Sequence, residues 1–137
     1  VSESWIRRGL FLAGAWNIVG GGSALLDPTR HFAQMYAGSL SLADPIQAFF
    51  FRCVWINVIA WGIGYVIAGF RPGARGPLLL AGGLGKLAYF AACVALFRSG
   101  GGNTALLTAG IVDLAFAASF FHILWHGRSG ATRPADT

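Results

Sequence analysis

The chain has 137 residues, 55% hydrophobic and 11% charged, with a mean hydropathy of +0.62, a balance that argues against an ordinary soluble globule and points to lipid as the solvent. The formal charge of +5 does not indicate nucleic acid, because the Lys and Arg residues are dispersed between apolar stretches and form no basic run. The cysteines, Cys53 and Cys93, are far apart and form no Cys-x-x-Cys, so neither a zinc site nor a dithiol redox motif is indicated.

The first apolar stretch covers residues 5–26. Arg7 and Arg8 precede an apolar run, as in a signal peptide, but the run continues through "FLAGAWNIVGGGSALL" and further spans follow, which reads as a retained helix. An initial Val is what a literal reading of a GTG start codon would give, and on that reading the chain is whole. The following loop, "DPTRHFAQMYAGSLSLADP", is half apolar and is expected to lie on the outer surface as a short amphipathic segment with Phe32, Met35 and Tyr36 toward lipid.

Further apolar stretches cover residues 46–69, 77–97 and 104–125. Each is close to the roughly 20 residues that a helix needs to cross about 30 Å of hydrocarbon. In "FRPGARGP", Pro72 and Pro77 end one helix and open the next. In "RSGGGNT", glycines stop the third span, and Asn103 or Thr104 can cap the fourth. Short connectors of this kind predict antiparallel neighbours. The fold class is therefore an all-α integral membrane four-helix bundle over residues 1–127, with a disordered cytoplasmic tail at 128–137.

Arg7, Arg8, Arg71, Arg75, Arg128 and Arg133 fall on one side of this topology, against Arg30 and Arg98 on the other and Arg52 just inside the second span. That asymmetry predicts cytoplasmic termini. Cys53 and Cys93 then lie toward the same face; a disulfide is geometrically allowed, and buried free thiols are the commoner case.

The polar residues inside the spans carry the functional reading. Lys86 is nine residues beyond Pro77 and Asp113 nine beyond Thr104, so at about 1.5 Å per residue both lie near mid-depth, on adjacent antiparallel helices. Unpaired, each charge would cost at least about 2.5 kcal/mol at the bilayer centre, which predicts an ion pair that either only fixes the register of the two helices or takes part in function. Asn17 in the first span and Asn57 in the second fall at a similar depth. One polar side chain from every helix at one level predicts a shared network or small cavity. Arg52, Trp16, Tyr65 and Tyr89 are candidate flanking residues, with Trp55, Trp61 and Phe90 in the same aromatic zone, serving either packing and interfacial anchoring or a ligand cage.

No cofactor signature accompanies this layer. His122 and His126 share one helix near its cytoplasmic end and His31 lies outside, which does not suit a bis-imidazole haem. No metal-ligand spacing and no phosphate loop is present; "GGLG" and "SGGG" read as packing or turn glycines.

The ordered set "WNIVGG", "DP", "WGIGYVIAG", "GGLGKL" and "DLAFAASFFHIL" resembles small four-helix bacterial membrane proteins of the DoxX-like kind, from Trp5 to Leu124. The resemblance implies the fold and a bacterial inner-membrane location, and no catalytic residue is carried over with it. The residues themselves favour a non-enzymatic protein whose mid-membrane network binds a small ligand or lipid, or which serves as accessory subunit of a membrane complex. The alternative is a proton-coupled small carrier in which Asp113 exchanges protons and Lys86 tunes it. Expected partners are the lipid bilayer and either another membrane protein or a second copy of the chain.

Overall fold

The computed structural model describes residues 2–38 and 40–129. They form α1 (Glu3–Leu26), α2 (Pro28–Met35), α3 (Pro45–Phe70), a 3-10 turn (Pro72–Ala74), α4 (Arg75–Arg98) and α5 (Thr104–Ser129). The class is all-α; α1, α3, the turn with α4, and α5 provide four spans long and apolar enough to cross a membrane. α5 runs to Ser129, two residues into the segment read as tail, and the remainder of that segment lies outside the described residues.

Local chemistry sets the ends. Both Asp-Pro pairs are helix starts: Asp27 accepts from Arg30 N, and Asp44 from Ile46 N and Gln47 N, each followed by a proline at a position that needs no helical N–H. Gly100, at φ +78°, turns the chain out of α4, and Asn103 Oδ1 then accepts from Ala105 N and Leu106 N to start α5.

The four long helices pack as two pairs. In the first, α1 meets α3 at glycine: a Cβ on Gly62 would stand 2.9 Å from the Gly14 carbonyl oxygen, and one on Gly21 3.0 Å from that of Trp55. In the second, α4 meets α5 where Gly83 faces the Phe121 ring and Gly110 faces Cys93. Cys53 and Cys93 are both free.

The pairs join at the end that holds the N-terminus, through a core of Leu10, Ala13, Tyr65, Ala68, Leu79 and Phe120. The tight connector therefore does not make α3 and α4 neighbours along their length. They meet near the connection, at Gly64 against Leu78 and Tyr65 against Gly82, because the glycine-lined face of α3 is committed to α1. At the opposite end α2 bridges the pairs. Phe32 packs on Ala24, Phe51 and Trp55, while Ala37 N donates to Gly101 O (3.0 Å) and Asn103 N to Met35 O (3.0 Å). Phe32, Met35 and Tyr36 thus turn inward instead of toward lipid, since the bundle offers them an uncovered interior at this level.

Arg75, read above as a topology charge, is a buried clamp. Its Nε donates to Ala68 O (2.8 Å) and Nη2 to Gly69 O (3.3 Å), satisfying carbonyls left open at the end of α3, and both Nη atoms pair with Glu3 at 2.6 and 2.7 Å. The Glu3 side chain is 65% exposed and that of Arg75 only 10%. Arg75→Met is therefore expected to lower the detergent melting temperature clearly more than Glu3→Gln, as followed by circular dichroism. Equal losses would show that the carbonyl contacts contribute nothing beyond the ion pair.

Candidate functional site

The side chains of Lys86 and Asp113 meet where α4 and α5 run side by side, with Nζ 2.6 Å from Asp113 Oδ1. They are 5% and 13% exposed. Across the cleft between the helix pairs, Asn17 Oδ1 accepts from the same Nζ at 3.1 Å. An ammonium only donates, so this contact fixes the Asn17 amide with its oxygen toward Lys86 and its NH2 away. The Tyr65 and Phe116 rings lie 5.8 and 5.2 Å from Nζ, adding cation–π attraction where water is scarce. Phe116 was not singled out by the sequence. It lies three residues after Asp113, and that spacing puts it on the same helix face.

Lys86, Asp113, Asn17, Trp16, Tyr65 and Tyr89 all border one cavity of about 940 Å³ in the cleft between the two pairs. Its far end is walled by α2, through His31, Gln34, Met35 and Tyr36. Tyr65 reaches its place because α4 has no side chain at Gly82, where an added Cβ would run into the Tyr65 hydroxyl.

Asn57 and Arg52 do not join the site; both are exposed on α3. Depth fixes a residue's level but not its direction. Asn57 is exposed at the edge of the face that carries Val54, Val58 and Trp61, and it is not among the residues that border the cavity. The network joins three of the spans, α1, α4 and α5, through side-chain hydrogen bonds, with α3 contributing aromatic walls.

His31 lies in α2, outside the four spans as the sequence reading has it, and from there it borders the cavity. Its Nδ1 lies 3.4 Å from Ser23 Oγ, its ring stands edge-on to Trp55 with centroids 4.5 Å apart, and Nε2 is buried with no hydrogen-bond partner among the described residues. Burial holds its pKa below the usual imidazole value, so at neutral pH this end of the cavity is uncharged. Burial likewise pushes the Tyr36 phenol up, keeping it protonated. The only signal in sequence was the apolar half of the loop, which fits a wall as well as a lipid-facing segment.

No three His, Cys, Asp or Glu side chains converge among the described residues. His122 and His126 stack on one face of α5, ring centroids 4.2 Å apart, which offers imidazoles from one side alone. What the site offers is a neutral ion pair, an amide and aromatic rings around an open volume. Comparisons of the chain with protein-family models, curated proteins and solved structures give no match.

Proposed function

We propose that this four-span membrane protein binds a small ligand or lipid in the cavity floored by Lys86, Asp113 and Asn17. The observation that supports the reading is the placement of a hydrogen-bonded buried ion pair on the wall of an open volume of about 940 Å³. A pair needed only to hold α4 against α5 could be enclosed by those helices, without an empty space beside it. The size is within the usual range for small-molecule sites, about 300–1,000 Å³.

The alternative, a proton-coupled carrier using Asp113 and Lys86, needs a path from the pair to each side of the membrane. Leu10, Tyr65, Leu79 and Phe120 fill the space toward the end holding the N-terminus, so the geometry favours binding over passage. Association with another membrane protein, or with a second copy, is supported by the exposed amide of Asn57 within an apolar helix, since such groups gain by pairing across helices.

The placement we propose is the bacterial inner membrane with both termini cytoplasmic, from the arginine asymmetry and, for the membrane itself, from the DoxX-like motif order. Reporter fusions at the two termini and after Gly101 check the orientation: the termini are expected inside and Gly101 outside, and an external C-terminus would reverse it.

Extraction into native lipid discs, followed by mass spectrometry of the released small molecules, tests the binding reading. A molecule retained in near-equimolar amount above the surrounding lipid is expected. Release of bulk lipid alone would contradict it.

A further inference from the structure

We infer that the cavity takes an uncharged amphiphile from the bilayer itself, one with an apolar, ring-sized body and a head group that both donates and accepts a hydrogen bond, such as an alcohol or an amide. This rests on the binding reading above and names the chemistry of its ligand.

The route comes from what closes the cavity and what does not. At one end the core of Leu10, Tyr65, Leu79 and Phe120 seals the pairs together. At the other, α2 is tied across the gap to the 99–103 connection by the hydrogen bonds of Ala37 and Asn103. Both ends are thus bridged by protein, with the exposed Gln34 and Thr104 also bordering the cavity at the α2 end. The flanks differ: Val54 and Trp61 on α3 and Gly85 on α4 are exposed and also border the cavity, as are Trp16 and Val19 on α1 and Thr108 on α5. These are predominantly apolar residues within helices of membrane-spanning length, so the openings face hydrocarbon.

The head group follows from the unused valences at the floor. Lys86 occupies Asp113 Oδ1 and Asn17 Oδ1, which leaves Asp113 Oδ2 and the Asn17 NH2 with no hydrogen-bond partner among the described residues. Neither atom is fully enclosed, since among the described residues His31 Nε2 is the buried polar side-chain atom that lacks a partner. One acceptor and one donor therefore flank the ammonium. A hydroxyl or an amide answers both at once, an ether answers only the donor, and a carboxylate sets a like charge against Asp113. The Lys86–Asp113 pair is already neutral, so a charged ligand would bring an uncompensated charge to mid-membrane depth, where it is most expensive. The body is set by the aromatic side chains of Trp16, Trp55, Trp61, Tyr65 and Tyr89, which border the volume.

Benzophenone probes test both parts. The full chain in zwitterionic nanodiscs is photolabelled with para-benzoylbenzyl alcohol, its methyl ether and para-benzoylbenzoate, and the adducts are mapped by peptide mass spectrometry. The alcohol is expected to label cavity residues saturably, at a concentration about three- to tenfold lower than the ether, with no saturable labelling by the benzoate. Lys86→Met/Asp113→Leu is expected to erase the preference for alcohol over ether. Gly20→Leu/Gly85→Leu narrows both flanks at wall positions where an added Cβ meets nothing within 4 Å, so it is expected to stay folded and label several-fold more slowly. Equal labelling by alcohol and ether, or labelling by the benzoate as strong as by the alcohol, overturns the head-group assignment. Unchanged labelling of the flank variant overturns entry from the bilayer. Absence of saturable cavity labelling by any probe removes the binding reading beneath it.

Discussion

Lys86→Met is expected to destabilise the protein by about 3–5 kcal/mol, the usual loss when one partner of a buried pair is removed. The remaining Asp113 carboxylate, 13% exposed, has then lost the cation it pairs with and is an uncompensated buried group. Asp113→Asn is expected to fall in the same direction by a smaller amount, since Asn17 Oδ1 and the new amide oxygen still accept from the ammonium. In Lys86→Met/Asp113→Leu no charge is left to solvate, and the loss should be well below the sum of the singles, with a coupling of about 0.5–3 kcal/mol. Melting of the parent, both singles and the double variant in one detergent measures this. Additive losses would mean that the two charges do not interact.

Gly62→Leu is expected to have the other large effect, separating α1 from α3. The added Cβ would stand 2.9 Å from the Gly14 carbonyl oxygen and 3.0 Å from Asn17 Cβ, and the first of these is backbone that cannot swing aside. Overpacking by a single methyl costs about 1–3 kcal/mol, and a branched side chain at a helix crossing costs more. Because Asn17 is among the displaced atoms, the contact to Lys86 should be lost with the crossing. Gly22→Ala is the control: its Cβ meets nothing within 4 Å, and the exchange should stabilise the helix by up to about 1 kcal/mol. Thermal unfolding of the two variants is expected to shift in opposite directions. A Gly62→Leu protein as stable as the parent would show that the crossing is not close.

Much of this organisation is legible in the residues. Hydrophobic length placed the spans within two residues of the observed helices wherever a proline, glycine or cap marked the end, as at Pro45 and Asn103. The meeting of Lys86 with Asp113 was legible because a short connection fixes both the depth and the adjacency of the helices that carry them. Direction around a helix was not. Nearly uniform apolarity removes the amphipathic stripe that orients a soluble helix, so Asn57 and Arg52 were given a level without a face. The inward turn of Phe32, Met35 and Tyr36 was hidden for a related reason, since an apolar side chain suits lipid and protein interior alike. Arg75 was hidden by its dual nature, a connector cation by position and a cap for the Ala68 and Gly69 carbonyls by reach.

Whether the ion pair serves a ligand or only the packing is decided most directly by comparing the parent with Lys86→Met/Asp113→Leu after extraction in native lipid discs. Circular dichroism establishes that each is folded, and mass spectrometry quantifies the small molecules each retains. If the pair floors a binding site, the double variant keeps its helical content and has lost a molecule that the parent carries in near-equimolar amount. If both proteins are folded and release the same molecules in the same amounts, the pair is a structural contact and the binding reading is contradicted.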